Sequence, residues 1–236
     1  MNLVTFSGPP SSGKTAVILK TIRALRERNI KAGVVKFDCL YTDDDKLYAR
    51  EDIPVKKGLA GSLCPDHYFV SNIEEVVQWG RKKGLDLLIT ESAGLCNRCS
   101  PYIKDIKAVC VIDNLSGINT PRKIGPMLKT ADIVLITKGD IVSQAEREVF
   151  ASRVRTVNPD AVVMHINGLT GQGAYEFSTL LDTEKEDIKT VSGKRLRFSM
   201  PSAMCSYCLG EKRIGEEHQL GNVKKIELGD EDEEQK

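Results

Sequence analysis

The sequence predicts an α/β fold, a mostly parallel sheet with helices on both faces, and three observations predict it. The octapeptide Gly8-Pro9-Pro10-Ser11-Ser12-Gly13-Lys14-Thr15 satisfies G-x-x-x-x-G-K-S/T between a β-prone run and an amphipathic helix. Short apolar runs then alternate with helix-period segments from residue 2 to about 182, the pattern of successive βα units. Residues that carry chemistry recur where apolar runs end, at the sheet edge where such folds bind ligands. Together these make the first 182 residues a P-loop NTPase domain.

Leu3-Val4-Thr5-Phe6 is the first strand, and the helix that follows places Val17, Ile18, Ile22 and Leu25 on one face. Between them, Gly8 and Gly13 let the backbone aim successive N–H groups of Ser11, Ser12 and their neighbours at a phosphate. The helix beginning near Lys14 adds its positive dipole end. Lys14 is placed to reach the β/γ-phosphates, and the Thr15 hydroxyl to hold Mg²⁺. A second strand over residues 32–37 ends at Asp38, a carboxylate suited to Mg²⁺ or its water. Tyr41-Thr42 and the acidic run Asp43-Asp44-Asp45 open a polar stretch to about Gly61, which its weak periodicity marks as a switch or lid, or as a solvated loop.

Cys64 and His67 form a C-x-x-H pair around Pro65, and thiolate with imidazole suits Zn²⁺ or Ni²⁺. Ser71-x-x-Glu74 predicts a helix start, with Ile73, Val76, Val77 and Trp79 turned inward. A third strand, residues 85–91, delivers Glu91-Ser92-Ala93-Gly94 to the P-loop edge. There Glu91 can orient Mg²⁺ or water, and the Gly94 N–H can meet a γ-phosphate. Cys96-Asn97-Arg98-Cys99 follows directly, and its polar centre favours ligand cysteines over buried thiols.

The fourth strand, residues 108–113, carries Cys110 as packing. The fifth, residues 133–136, runs into Thr137-Lys138-Gly139-Asp140, the guanine-recognition pattern. One carboxylate, Asp140, can accept both N1–H and N2–H₂ of guanine while the Lys138 stem lies along the ring; adenine would leave that carboxylate unpaired. Ser143-x-x-Glu146 opens a helix with Val149, Phe150 and Val154 inward. A sixth strand, residues 161–166, holds His165 as a core histidine and leads to Asn167–Gly173, a loop placed to pack on the base.

The alternation stops at about residue 182. Residues 183–228 read as a small appendage carrying Cys205-x-x-Cys208, and 229–236, GDEDEEQK, as a disordered acidic tail. Lys and Arg number 34 against 33 Asp and Glu, so no global field draws the 236-residue chain to nucleic acid or anionic lipid. The chain opens directly in a strand, with no leader and no membrane-length apolar run, which reads as cytoplasmic. Seven cysteines, four of them in two C-x-x-C pairs, then mean metal or redox chemistry before disulfides.

The order of these motifs resembles the nickel-accessory GTPases that serve urease and hydrogenase maturation, the UreG/HypB type of the SIMIBI class. The matching pieces are GPPSSGKT, Asp38 with Tyr41-Thr42 and Asp45, Cys64-Pro65 with His67, and ESAG at 91–94 followed by Ser100-Pro101. Asp113, PRKIGP at 121–126, TKGD at 137–140 and the loop Leu169–Gly173 complete the set. PRKxGP is the piece most specific to the urease branch. The resemblance implies hydrolysis of Mg²⁺-bound GTP, a nucleotide-dependent homodimer, and a metal site at the dimer interface built on the Cys-Pro-His segment. Here Asp66 intervenes between Pro65 and His67, the urease branch lacks Cys96-x-x-Cys99, and neither branch has the Cys205-x-x-Cys208 appendage. The position of Pro10 lacks the extra lysine of the P-loop in iron–sulfur carrier ATPases.

Three functions fit this reading. One is a GTP-switched metallochaperone delivering nickel or a similar metal to a client metalloenzyme through Cys64, His67, Cys96, Cys99 and the pair Cys205 and Cys208. Another is a nucleotide-dependent iron–sulfur carrier or electron donor, and the third is a GTPase whose cysteines close a structural zinc site.

Overall fold

The computed structural model describes residues 1–95, 97–181, 187–198, 211–219 and 223–229. Cys96, Cys205 and Cys208 lie outside the described residues, as does the acidic tail beyond Gly229. Seven strands, β1 (Asn2–Ser7), β2 (Ala32–Asp38), β3 (Val55–Leu59), β4 (Leu87–Ser92), β5 (Lys107–Asp113), β6 (Ile133–Thr137) and β7 (Val162–His165), form one sheet in the order β3-β2-β4-β1-β5-β6-β7. Every pairing is parallel. β1 lies between β4 and β5, so the chain departs to opposite sides from its C-terminal end, the switch point where α/β sheets open a ligand crevice.

Covering helices explain why the central strands are apolar on both faces. On one face α1 (Lys14–Glu27) and α7 (Ala174–Leu181) bury Val17, Ile18, Ile22, Leu25 and Phe177 against Val4, Phe6, Val34 and Ile89. On the other, α3 (Pro65–Lys82) packs Phe69, Ile73, Val76, Val77 and Trp79 on Val35, Phe37 and Leu88. A third cluster under α6 (Gln144–Val157) holds Cys110, Phe150 and Val154. α6 opens on the expected capping box, with the Ser143 hydroxyl accepting from the Glu146 N–H.

The structure departs from the sequence reading in four places. The polar stretch before Gly61 contains a short helix, α2 (Asp44–Ala49), and the strand β3, an edge strand whose Lys56 and Lys57 suit a sheet margin. α3 begins at Pro65 with Cys64 as its N-cap residue, six residues before Ser71. Ser71 is buried and donates back to the His67 carbonyl at 3.0 Å. Glu74 instead accepts from the Val191 and Ser192 N–H groups at 2.8 and 3.1 Å, fastening the C-terminal segment. Val149 faces solvent, because α6 presents Phe150 and Val154 to the core. His165 is exposed, at the C-terminal end of the edge strand β7.

Past residue 186 the chain returns along α3. Ile188, Val191, Leu196, Ile214 and Ile226 are buried in the α3 cluster. Arg197 clasps Asp132 with two bonds of 2.7 Å and donates to the carbonyls of Ile103, Thr130 and Ile106. Among the described residues no helix is long and apolar enough to cross a membrane.

Candidate nucleotide and metal site

The loop joining β1 to α1 closes on itself. Lys14 is buried, and its Nζ donates to the carbonyls of Gly8 and Pro9 at 3.0 and 2.9 Å. Burial holds Lys14 below its ordinary value, at about 8, with Glu91 pulling the other way. Thr137 donates to the Ser12 carbonyl at 2.7 Å and Lys138 to that of Ser11 at 2.8 Å, so the end of β6 braces the P-loop. The loop after β4 crosses immediately above it. Gly94 has φ +65, and a Cβ there would stand 1.8 Å from the Gly8 carbonyl oxygen, so only glycine allows the crossing.

Beside the first turn of α1 lies a network of oxygens around one ammonium. The Thr15 hydroxyl faces Glu91 Oε1 at 2.9 Å and Asp44 Oδ2 at 3.0 Å. Lys36 Nζ donates to the same two oxygens at 2.6 and 2.7 Å and stands 3.9 Å from Asp38. Tyr48 donates to Glu91 Oε2 at 2.8 Å. The β2–β4 register puts Lys36 directly opposite Glu91, and α2 supplies both Asp44 and Tyr48. Burial pushes Lys36 down, but Glu91 and Asp44 outweigh it and hold it above the usual lysine value. Burial pushes Asp44 up, and Lys36 with Thr15 outweighs that and lowers it. Thr15, Asp38, Asp44 and Glu91 are hard oxygen donors converging beside a P-loop, a set that fits Mg²⁺.

At the other end of the P-loop, Asp140 sits in a 3₁₀ turn after β6. It borders a cleft of about 400 Å³ also lined by Arg147, His165, Asn167, Gln172 and Gly173. The Asn167 carboxamide oxygen accepts from the N–H groups of Leu169 and Thr170, which shapes this loop into a wall opposite Asp140.

A thiol cluster occupies the opposite face of the sheet. Among the described residues, Cys64, Asp66 and Cys99 form the group of metal-capable side chains, their ligand atoms all within 4.8 Å of one another. The Cys99 thiol donates to Asp66 Oδ2 at 3.0 Å and Ser92 donates to Oδ1 at 2.8 Å. The neighbouring Cys99 thiol lowers Cys64 to about 7, while that same pairing and burial push Cys99 up. Burial pushes the Asp66 carboxyl up. Two thiols and a carboxylate fit Zn²⁺, Ni²⁺ or a similar ion. The loop bearing Cys99 rests on PRKIGP, where a Cβ on Gly125 (φ +66) would stand 2.4 Å from the Asn97 carbonyl oxygen.

The family model described as "CobW/HypB/UreG, nucleotide-binding domain" matches residues 2–165. The chain belongs to this family. An uncharacterized protein of Methanocaldococcus jannaschii is 48% identical over 227 residues, 96% of this chain and 97% of that protein. Among solved structures, the hydrogenase maturation factor HypB from Archaeoglobus fulgidus matches with a TM-score of 0.61 and 21% identity, covering 77% of this chain and 88% of the other. HypB from Helicobacter pylori in complex with nickel matches with a TM-score of 0.63 and 18% identity, covering 80% and 89%. At those identities the likeness is one of fold.

In this CobW/HypB/UreG domain the structure brings Gly8, Ser11, Ser12, Gly13, Lys14, Thr15, Asp38, Glu91, Gly94 and Thr137 to one edge, with Lys138 and Asp140 at its far end. It brings Cys64 to Cys99 and adds Asp66, whereas His67 lies outside that group. The helix explains the exchange: successive side chains on α3 diverge by about 100°, so of Asp66 and His67 only one can face Cys99. Of the acidic run 43–45 it is Asp44 that reaches Thr15, while Asp45 pairs with Lys57 at 2.8 Å. Lys36 and Tyr48 escaped the sequence reading, which named Asp66 and Ser92 but gave them no role. Lys36 alone carried a signal, being a lysine inside an otherwise apolar run two residues before Asp38.

Proposed function

We propose that this chain is a GTP-hydrolysing maturation factor that couples its nucleotide state to a thiolate-bound transition metal, nickel or a similar ion, and releases that metal to a client metalloenzyme. The observation that carries the reading is the shared strand β4, which presents Glu91 to Thr15 and Ser92 to Asp66. In this reading Lys14 leaves the Gly8 and Pro9 carbonyls for the β/γ-phosphates, and Gly94 offers its N–H to the γ-phosphate. Asp140 accepts from guanine in the cleft walled by Asn167–Gly173. Thr15 with Asp38 and Asp44 would hold Mg²⁺, which would supply positive charge to the phosphates, and Glu91 would orient the attacking water.

Dimerisation across the nucleotide edge belongs to the same proposal. Leu40, Tyr41, Leu95, Leu115 and Ile118, all on loops leaving C-terminal strand ends, are exposed apolar side chains beside the P-loop. Such a cluster suits a second copy that covers it when nucleotide orders the loops.

The test is to purify the protein anaerobically and titrate Ni²⁺ and Zn²⁺ in the presence of GDP and of a non-hydrolysable GTP analogue. The proposal expects affinities that differ about 5- to 150-fold between the two states. Identical affinities and stoichiometries would reduce Cys64, Asp66 and Cys99 to a structural site.

A further inference from the structure

The geometry points to Lys36 as a resident cation of the magnesium subsite, a positioning residue that closes the subsite to divalent ions until nucleotide phosphate enters. The inference rests on the nucleotide-binding reading above.

Lysine is almost never fully buried unless paired, yet Lys36 is 4% exposed, between the buried Val35 and Phe37 of β2. Its position is not adjustable. Val34, Lys36 and Asp38 share one face of β2, and the parallel register sets Lys36 opposite Glu91, itself 0% exposed. From there Nζ takes Glu91 Oε1 and Asp44 Oδ2, the same two oxygens that face the Thr15 hydroxyl. Asp38 stands 3.9 Å away on the third side.

Without an ammonium, three carboxylates and a hydroxyl at this density would be a cation site in their own right. With Lys36 present, a divalent ion bound to Thr15 must compete for oxygens that are already shared. It must also sit within a few ångströms of a positive charge where little water screens the repulsion. Nucleotide phosphates change that balance, since they bring negative charge to the opposite side of the ion. Divalent metal and nucleotide therefore bind as a pair, and by linkage each strengthens the other.

The experiment follows Mn²⁺, read by electron paramagnetic resonance of the free ion, in nucleotide-free protein and after adding GDP. Wild type is expected to leave Mn²⁺ free into the millimolar range without nucleotide and to bind it with GDP. Lys36→Met is expected to bind Mn²⁺ without nucleotide at least about tenfold more tightly than wild type, and Lys36→Arg to behave like wild type. Tight saturable binding to nucleotide-free wild type overturns the inference, as does a folded Lys36→Met with unchanged Mn²⁺ affinity. Should Lys36→Met fail to fold, Lys36→Gln and the wild-type arm still decide. Failure of GDP to bind wild type would overturn the nucleotide reading instead, and the nucleotide-free comparison would still judge Lys36.

Discussion

Glu91 and Ser92, neighbours on β4, serve opposite faces of the sheet: Glu91 Oε1 accepts from Thr15 at 2.9 Å, and Ser92 donates to Asp66 at 2.8 Å. Side chains alternate across a strand, so two consecutive residues link a phosphate-binding helix start to a thiol cluster with no intervening packing. Any shift of the β4 end that repositions Glu91 must also move the donor that orients Asp66.

Removing that donor should uncouple the faces. Ser92→Ala is expected to leave GDP affinity within about threefold and to lower Ni²⁺ or Zn²⁺ affinity by roughly 10- to 100-fold, the usual effect of losing a group that orients a metal ligand. Asp66→Asn should cost at least as much, and His67→Gln much less. Calorimetric metal titrations of the three variants check the order; a larger loss for His67→Gln than for Asp66→Asn would return the histidine to the ligand set.

Lys14 has a measurable pH signature. Its value of about 8 lies below the ordinary 10.5, so between these pH values the unfolded chain carries the extra proton and stability rises with pH; below pH 8 the full cost of burying the ammonium is present. Lys14→Met should therefore raise stability at pH 7 by up to about 3 kcal/mol while abolishing hydrolysis. In wild type, phosphate binding favours the ammonium. GDP binding at pH 8 should then take up protons, detected by calorimetry in buffers of different ionisation enthalpy, and affinity should fall above that pH.

Gly94→Ala should damage fold and site together. The new methyl would stand 1.8 Å from the Gly8 carbonyl, at a backbone angle that disfavours any side chain. A loss of about 2 kcal/mol or more in urea unfolding is expected, together with at least tenfold weaker GDP binding as the P-loop is pushed aside.

Under the proposed function, Asp140 sets the choice of base. Asp140 is exposed at the cleft margin, and adenine has no paired donors for a carboxylate that accepts from guanine N1–H and N2–H₂, so Asp140→Ala should bring GDP and ADP to similar affinities. Titration of both nucleotides into wild type and variant measures this; equal affinities in wild type would remove guanine from the proposed function.

The regular parts of the molecule were legible because they are locally encoded. Val17, Ile18, Ile22 and Leu25 announce α1 by their spacing, Ser143 with Glu146 announces α6, and the apolar runs of β1, β4, β5 and β6 announce a sheet covered on both sides. The order of motifs along the chain likewise determined the family. The tertiary structure alone decided the rest. β3, Val-Lys-Lys-Gly-Leu, exists because β2 offers it a hydrogen-bonding edge, and α2 is six residues long, too short to show a period. Ser71 and Glu74 look like a helix start, but Pro65 begins the helix earlier and leaves Glu74 to hold the returning chain. Lys36, Tyr48 and Asp44 became site residues when strand register and the placement of α2 brought them to Glu91. Asp66 displaced its neighbour His67 because the rotation of α3 turned one of the two toward Cys99. Spacing records which residues share a helix or strand face; which faces meet is settled only by packing between segments far apart in the chain.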